Sequence, residues 1–448
     1  MSKKIVFKNK DELATHIKGH APSFYFSSQT STVIPYDKLD EHLKTTNVDN
    51  YYLCDLSQMP QEMKLLENGN LYIKGAVSWK DAREFLKAKG RNIKTAPTEE
   101  LALITAGLAT SCTGERCFAF GNLRSQVVRL KYINFEGREL ELDSTKDLII
   151  DGVELTLYQK EFNAYKDFKN APFPRFEKET DLMIGTEGQL GIVTEVEIET
   201  VENSPAQHLF MLIPKWEQDY TAHLEIIKKI QSFRDDVILV ELIDSNAFSF
   251  LPEEDRPNQG KDAIFFEVKA DSFENFYESF LSQLENVSEE NIFELTENRF
   301  HNIRASVPRA VFEENSKMGV VKMGTDVQVK IDDFQELMDI YREFSKEGIR
   351  YNLFGHFGDA HLHFNFMPAP KDMDHCRERF EYLYDQVLRL KGSPFAEHGI
   401  GLIKQKYIKN FIGATQTDVY EGLKRKFDPY GQFFPQGFMS LSSENHKA

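Results

Sequence analysis

The chain has 448 residues, with 54 Lys and Arg against 71 Asp and Glu, so its formal net charge is −17. Hydrophobic residues make up 41 %, which excludes a disordered or fibrous protein, and the length predicts two or three domains. The acidic balance argues against nucleic acid and anionic membranes as main partners, because phosphate binding needs clustered Lys and Arg. No apolar run reaches the ~18 residues of a membrane span, so none is predicted.

The four cysteines, at positions 54, 112, 117 and 376, form no CxxC pair, which argues against zinc ribbons and cysteine-held iron–sulfur clusters. So few cysteines in so long a chain predict no disulfide framework. The first residues also lack the apolar stretch of a secretory signal. We therefore expect a cytoplasmic protein.

Short strands and glycine-marked turns characterise the first 200 residues. The pattern predicts a strand over residues 71–77, followed by a helix over 79–89 that Ser78 caps. Residues 127–135 and 138–142 flank Glu-Gly and predict a hairpin. Alternating apolar residues over 192–198 predict a half-buried strand.

The second half of the chain mixes strands with amphipathic helices. Apolar spacing predicts helices over residues 334–344 and 380–388, and alternation predicts a strand over 327–331. A helical tail follows Phe411 and ends at residues 428–431. We therefore predict an α+β protein with domains at 1–203 and 204–410 and a helical segment at 411–448.

Two turns in the first half are built from small residues. The first runs over residues 103–114 and continues to Gly121, and the second runs over 185–192 and enters a strand. Small side chains let main-chain N–H groups approach a pyrophosphate closely. The alternative is a pair of tight turns that only join strands, since glycine spacing alone is a weak signal.

Histidines cluster in the second half. His361, His363 and Asn365 would share one face of a strand, and His356 precedes a turn that can fold back toward that face. The Glu397–His398 pair lies downstream. Two imidazoles and a carboxylate make a good site for Zn²⁺ or a similar ion. The alternative is a set of core histidines that only form hydrogen bonds.

Three basic residues could hold a carboxylate. Arg304 offers a planar fork suited to that group, and Lys322 and Lys404 offer point charges. A single basic residue is more often a solvated surface charge, and only proximity to the histidines would distinguish the two.

Taken together and in this order, the motifs resemble the FAD-dependent D-2-hydroxyacid dehydrogenases. These include D-lactate dehydrogenase, D-2-hydroxyglutarate dehydrogenase and the glycolate oxidase D subunit, and they belong to the vanillyl-alcohol-oxidase (PCMH-type) flavoproteins. Residues 355–363 are similar to the family's GHxGDGNLH, residues 397–404 to its EHGIGxxK and residues 181–192 to its DLxxGSEGTLGI. The resemblance covers about residues 11–437.

The sequence departs from the family in both glycine loops. The family's first phosphate loop reads RGGGTS, whereas residues 26–31 read FSSQTS here. In the second loop, Thr105 and Ala106 replace a glycine pair. Position 360 has Ala for the family's Gly, and position 361 has His for its Asn. Hydroxyl groups and main-chain N–H groups remain as phosphate donors.

The resemblance implies a PCMH-type FAD-binding domain of two subdomains over 1–203. It also implies a substrate domain with a ferredoxin-like sheet over 204–410 and a C-terminal segment that returns to the first domain. FAD would be held by Ser27, Ser28, Gln29, Thr30, Ser31, Thr105, Ala106, Ala109, Thr110, Gly114, Gly121, Glu187, Gly188, Gly191 and Ile192. A zinc or other divalent ion would be held by His356, His363 and Glu397. Apart from the resemblance, His361 is expected as a fourth contributor because it would share a strand face with His363. The implied catalytic residues are His398, Arg304, Asn365 and Lys322.

The implied reaction is oxidation of a small anionic 2-hydroxy acid, similar to D-lactate, D-2-hydroxyglutarate or glycolate. Arg304 would pair with the carboxylate, His398 would take the hydroxyl proton, and hydride would pass to the flavin. Electrons would leave to an external acceptor, and a homodimer is the candidate assembly. Two alternatives remain open: a flavin-poor, non-catalytic binding or assembly subunit, and a non-redox metal-dependent enzyme.

Overall fold

The computed structural model describes residues 3–29, 34–35, 39–43, 50–319 and 323–440. The chain divides into two compact units, the first made of residues 1–114, 122–203 and 395–448 and the second of residues 115–121 and 204–394. The break after residue 203 falls where the sequence predicted a boundary. The predicted end of the second domain at residue 410 moves to Pro394, because residues 396–401 hydrogen-bond within the first unit.

Short strands dominate the described part of the chain. In chain order they are β1 (Lys3–Val6), β2 (Ser23–Phe26), β3 (Tyr52–Asp55), β4 (Glu62–Leu65), β5 (Leu71–Lys74), β6 (Arg91–Ile93), β7 (Val127–Ile133), β8 (Glu139–Asp143), β9 (Ile192–Ile198), β10 (Thr200–Glu202), β11 (Ala206–Ile213), β12 (Val237–Ile243), β13 (Asp262–Lys269), β14 (Ile292–Leu295), β15 (Met323–Gly324), β16 (Val327–Gln328), β17 (Tyr351–His356) and β18 (His361–Phe366).

The α-helices of the described residues vary from one turn to six. In chain order they are α1 (Lys10–Lys18), α2 (Leu39–Leu43), α3 (Trp79–Lys87), α4 (Ile104–Ala109), α5 (Cys117–Phe120), α6 (Thr156–Phe162), α7 (Thr221–Ile230), α8 (Ser245–Phe248), α9 (Phe273–Ser279), α10 (Glu297–Met318), α11 (Phe334–Phe344), α12 (Met373–Arg389), α13 (Gln405–Ile408) and α14 (Ala414–Phe427).

Three sheets lie within the described residues of the first unit. A parallel sheet has the order β1-β3-β2, an antiparallel sheet has the order β4-β5-β9-β7-β8, and β6 pairs with β10. The predicted strand at 71–77 is β5, the predicted hairpin is β7–β8, and the predicted strand at 192–198 is β9. The predicted helix after Ser78 is α3, and the Ser78 Oγ accepts the Asp81 N–H at 3.1 Å.

Apolar side chains from the parallel sheet and the helix between its strands form one core of the first unit. Phe7, Leu13, Ile17 and Cys54 are almost fully buried there, together with Phe433 from the C-terminal segment. Burial of this kind stabilises the fold by about 25 cal/mol per Å² of apolar surface. The predicted return of the C-terminal segment to the first domain is observed, since β2 also bridges to Phe433.

The second unit is built around one antiparallel sheet. Its order is β14-β11-β13-β12-β17-β18-β15, with β16 paired to β18 as well. The predicted helix at 334–344 is α11, and the one at 380–388 lies within α12. The predicted strand at 327–331 is wrong beyond Gln328, because the chain turns into a 3₁₀ helix over Ile331–Asp333 that leads into α11.

Residues 115–121 belong to the second unit although they follow the first small-residue turn in sequence. They include α5, which packs against β12. Phe120 packs on a buried cluster of this unit that includes Phe210, Phe248 and Phe300. Within the described residues, no helix combines the length and apolarity that a membrane crossing requires.

Candidate functional site

Three buried imidazoles lie together on the β17–β18 hairpin of the second unit. His356 ends β17 and pairs in register with His361, the first residue of β18, and His363 follows on the same strand face. The ring centroids are 4.7 to 5.9 Å apart. One ring nitrogen of each lies within 4.8 Å of the others. The sequence predicted this folding back of His356 toward His361 and His363.

The backbone of the hairpin explains two small residues in the motif. Gly355 precedes His356, and a Cβ at this position would lie 2.9 Å from the His363 ring. Ala360 closes the turn with a φ of 52°, a left-handed conformation that favours glycine. The family's glycine at position 360 therefore has a conformational reason, and this chain adopts the same turn with alanine.

Each imidazole is oriented by an acceptor on its other side. The Nδ1 of His356 lies 2.7 Å from the Glu241 carboxylate, and the Nε2 of His361 lies 3.0 Å from Asp326. The Nδ1 of His363 donates to the Thr325 carbonyl at 2.9 Å. An N–H donated to a carboxylate or carbonyl leaves the second ring nitrogen with its lone pair, which is the usual preparation of a metal ligand.

Asn365 continues the same face of β18 and is fully buried. Its amide nitrogen donates to Asn352 at 2.8 Å and to the His363 carbonyl at 3.2 Å. Its Oδ1 has no hydrogen-bond partner in the described structure. A buried acceptor without a donor costs free energy, so this oxygen is suited to receive a ligand hydroxyl.

Arg304 lies on α10 and its side chain is only 10 % exposed. The guanidinium donates to the Glu115 carboxylate and lies over the Phe300 ring, 5.2 Å from its centroid. Burial alone would lower the pKa of Arg304, but Glu115 first, then Glu241, raise it. The predicted carboxylate clamp is therefore a buried, permanently charged arginine that an internal carboxylate already contacts.

The other predicted residues of this set belong to the first unit or lie outside the described residues. Glu397 is buried and His398 is exposed, and both belong to the first unit. Their grouping with the histidines stays a prediction. Lys322 lies outside the described residues, and Lys404 lies in the first unit over the Phe395 ring.

In the first unit, main-chain hydrogen bonds join the two small-residue turns. The N–H of Gly185 donates to the Leu108 carbonyl at 3.0 Å, and that of Glu187 donates to the Ala109 carbonyl at 2.8 Å. Thr105, Ala106 and Ala109 lie within α4 rather than in an open loop. The predicted cofactor residues of these two turns are therefore neighbours.

The Glu397–His398 segment is tied to both turns. The Glu187 carboxylate accepts from Ile400 N–H at 2.6 Å and from Gly401 N–H at 3.0 Å. The Asn170 amide donates to the Ser111 carbonyl at 2.7 Å and to the Ala396 carbonyl at 2.9 Å. Burial raises the pKa of Glu187 against the effect of these N–H donors. Three distant stretches of sequence are thus fixed together.

A cavity opens at this junction, lined by residues from the two turns, by Phe395, Gly399 and Ile400, and by the loop over residues 162–175. Cationic and amide side chains dominate its polar wall, namely Asn122, Arg124, Lys166, Lys169, Asn170 and Arg175. Arg124 is held by Asp181 at 2.5 Å, so part of this charge is neutralised. The wall remains suited to an anionic or hydrogen-bonding ligand.

The remaining predicted cofactor residues are distributed unevenly. Ser27, Ser28 and Gln29 follow β2, and the last two are exposed. Thr30 and Ser31 lie outside the described residues. Gly121 belongs to the second unit and has a φ of 72°.

One buried side chain in the small-residue turns fits a hydrogen-bonding cofactor such as a flavin. The Thr113 hydroxyl is fully buried and has no hydrogen-bond partner in the described structure, as expected of a donor reserved for a ligand. Gly114 fixes the position of this turn by close packing, since a Cβ would lie 1.8 Å from the Ala96 carbonyl oxygen. The histidine set likewise fits a divalent metal, because three oriented imidazoles match the preferences of zinc.

Sequence reasoning missed the acceptors that support these side chains. Glu241 is the only charged residue of the buried strand VILVELI, and a charge in such a run is a signal that could have been used. Asp326 and Thr325 carry no comparable signal, because their role depends on pairing with β18. Glu115 and Asn170 likewise act across more than fifty residues of sequence.

Comparison with known proteins agrees with this geometry. Residues 218–436 match the family of FAD linked oxidases, C-terminal domain. The chain is 21 % identical over 440 residues to the mitochondrial D-lactate dehydrogenase (cytochrome) of Kluyveromyces lactis, covering 93 % of this chain and 70 % of that protein. It is 24 % identical over 360 residues to the D-2-hydroxyglutarate dehydrogenase of Xanthomonas citri pv. viticola, covering 73 % of this chain and 66 % of the relative.

The fold is similar to that of an alkyldihydroxyacetonephosphate synthase. The two structures superpose with a TM-score of 0.66 and 13 % sequence identity, over 97 % of this chain and 76 % of the synthase. At this identity the likeness concerns the arrangement of helices and sheets alone.

Proposed function

This chain belongs to the family of FAD-linked D-2-hydroxyacid dehydrogenases, as its motifs predicted, and we propose on that basis that it oxidises a small 2-hydroxy acid. The class of enzyme, an FAD-linked oxidoreductase, follows from the family. The substrate, the acceptor and the roles of individual residues are parts of the proposal.

One observation carries the proposal. His356, His361 and His363 each have one ring nitrogen fixed by an acceptor, and the unpartnered Oδ1 of Asn365 follows them on the same strand face. A structural cluster of histidines would satisfy its own hydrogen bonds and would not need a buried acceptor left open beside it. This arrangement is instead suited to a divalent ion next to a substrate hydroxyl.

The roles of the chain's residues follow from their positions. His356 and His363 would hold the ion with Glu397, and His361 would contribute a fourth nitrogen. A divalent ion supplies Lewis-acid polarisation of the substrate hydroxyl. Asn365 would accept a hydrogen bond from the substrate, and His398 would take the hydroxyl proton.

The first unit would hold FAD through the turns over 103–114 and 185–192. When bound, FAD supplies the acceptor for the substrate's hydride. The buried hydroxyl of Thr113 would donate a hydrogen bond to FAD. Glu187 and Asn170 would hold the two turns and the Glu397–His398 segment together through their hydrogen bonds. Within the proposal, the first unit is the PCMH-type domain, with two of its sheets marking its subdomains. The second unit is the substrate domain, whose sheet has a ferredoxin-like core.

The proposal also includes an external electron acceptor, a homodimer and a cytoplasmic location. The location rests on cysteine usage, since four cysteines in a chain of 448 residues are too few for a disulfide framework. Size-exclusion chromatography with light scattering and cell fractionation would test the last two.

The test of the proposed function uses the purified full chain. Its absorbance should show the flavin bands at roughly 370 and 450 nm, a property of the cofactor itself. Anaerobic addition of D-lactate or D-2-hydroxyglutarate should bleach the 450 nm band, while the L-enantiomers should not. A protein that stays colourless after incubation with FAD would contradict the proposal and favour the flavin-poor binding subunit.

A further inference from the structure

We propose that Glu115 occupies Arg304 in place of the substrate's carboxylate and thereby lowers the affinity for monocarboxylates. The inference rests on the proposed function for one point, which is that Arg304 is the arginine that would receive that carboxylate. Everything else comes from contacts inside the second unit.

The ion pair between Arg304 and Glu115 is largely buried and does not lie on the protein surface. The side chains of Arg304 and Glu115 are 10 % and 15 % exposed. The two residues are 189 positions apart in the sequence, so the folded second unit brings them together. The chain leaves the first small-residue turn at Gly114 and enters the second unit at Glu115. The helix α5 begins two residues after Glu115 and packs on β12 within the same unit.

Further negative charge surrounds the pair. Glu241 and Glu267 both interact electrostatically with Arg304, and Glu267 lies 3.7 Å from Arg116. One guanidinium therefore faces three carboxylates, with Arg116 as the second cation. An incoming carboxylate would meet an arginine whose charge is already neutralised, and like charges near one another are costly in a partly desolvated site.

Two consequences for the affinity of a monocarboxylate follow. A monocarboxylate must displace Glu115 to form a paired contact with Arg304, so its affinity is lowered by the free energy of the internal pair. Removing the charge of Glu115 while keeping its shape should release the guanidinium fork. A charged hydrogen bond of this type corresponds to about tenfold or more in affinity.

The experiment measures D-lactate binding to the full chain by isothermal titration calorimetry. Glu115→Gln should bind D-lactate at least about tenfold more tightly than wild type. The matched control is Glu267→Gln, which removes the same charge nearby without vacating Arg304 and should change affinity less than about threefold. Adding Arg304→Ala to Glu115→Gln should abolish the gain.

The outcomes separate this inference from the proposed function. Equal or weaker binding by Glu115→Gln, or no binding by either protein, overturns the role of Glu115. Tighter binding without any bleaching of the flavin upholds it and counts against the proposed reaction. Should Glu115→Gln not fold, Glu115→Asp decides, because its shorter side chain loosens the pair and should give a smaller gain of the same sign; no gain overturns the inference.

Discussion

The candidate site of the first unit is formed mainly by main-chain groups, whereas that of the second unit is formed by side chains. In the first unit, main-chain N–H groups and carbonyls join the turns over 103–114 and 185–192. In the second unit, the site consists of side chains, because His356, His361 and His363 are each oriented by a separate acceptor. A site made of backbone tolerates substitution, whereas a site made of side chains requires particular residues.

This difference explains the departures at residues 105 and 106 from the family that the motifs resemble. Thr105 and Ala106 replace a glycine pair, and both lie inside α4, where a helix needs no left-handed residue. The histidine hairpin keeps its residues at 356 and 363, because imidazole nitrogens cannot be replaced by backbone. The family motif is accordingly easier to read in the second unit than in the first.

The largest expected effect is that of His363→Ala. Removing one of three imidazoles should release the divalent ion and lower kcat by about a thousandfold, since such an ion contributes several kcal/mol to catalysis. The control is His375→Ala, an exposed histidine on α12. Elemental analysis after dialysis should show about one metal per chain in wild type and in the control. Unchanged metal content in His363→Ala would leave the histidines as hydrogen-bonding residues only.

The matching test of the first unit is Gly114→Ala. The new Cβ would lie 1.8 Å from the Ala96 carbonyl oxygen, so the turn must move. We expect a loss of about 3 kcal/mol in unfolding free energy and loss of bound flavin. Gly152→Ala is the control, because its Cβ meets nothing within 4 Å and only its positive φ adds strain. Flavin retention by Gly114→Ala equal to that of the control would break the claim that backbone builds this site.

Sequence reasoning succeeded where local patterns decide the outcome. The capped helix α3, the β7–β8 hairpin and the strand β9 were predictable from alternation and capping alone. The placement of His356 opposite His361 followed from strand periodicity and one turn. Residues 115–121 could not be assigned to the second unit from sequence, because no local pattern reveals which sheet α5 packs against.

The supporting acceptors show the same limit from another side. Glu241 and Asp326 lie 115 and 35 residues from the histidines that they orient. Their pairing depends on strand order in the finished sheet, which sequence periodicity does not specify. The ion pair between Arg304 and Glu115 has the same origin.

A smaller effect concerns two buried carboxyl groups of the second unit. Burial raises the pKa values of Asp244 and Asp262, although main-chain N–H groups from Trp216 and Ser245 bind Asp262 at 2.7 Å. His223 lies 3.5 Å from Asp262, but burial lowers the pKa of this imidazole to about 3, so it supplies no positive charge.

The sign of the pH dependence follows from these shifts. Above pH ~4 the unfolded chain releases the carboxyl protons that the folded protein retains, so the free energy of unfolding falls as the pH rises. Between pH ~6.5 and pH ~8, above the ordinary pKa of histidine, we expect this effect to lower the Tm of wild type by about 2–4 °C. Calorimetry of Asp262→Asn should show a smaller drop, while the exposed Asp374→Asn should behave as wild type. An equal drop in Asp262→Asn would contradict the assignment.

The smallest effect is expected at the altered phosphate loop. Ser28 is exposed after β2, and a loop that binds phosphate through main-chain N–H groups does not need its hydroxyl. Ser28→Ala should therefore change FAD affinity less than about threefold. A tenfold loss in a fluorescence titration with FAD would show that side chains have replaced backbone there.

We propose that the histidine hairpin acts on a hydroxy acid whose hydride is transferred to a flavin held by the first unit. This proposal is tested most directly by anaerobic stopped-flow of the 450 nm band, with wild type and His363→Ala compared at equal flavin content. We expect D-lactate or D-2-hydroxyglutarate to bleach the 450 nm band of wild type. The flavin should remain bound to His363→Ala and be reduced about a thousandfold more slowly. Reduction of His363→Ala at the wild-type rate would contradict it.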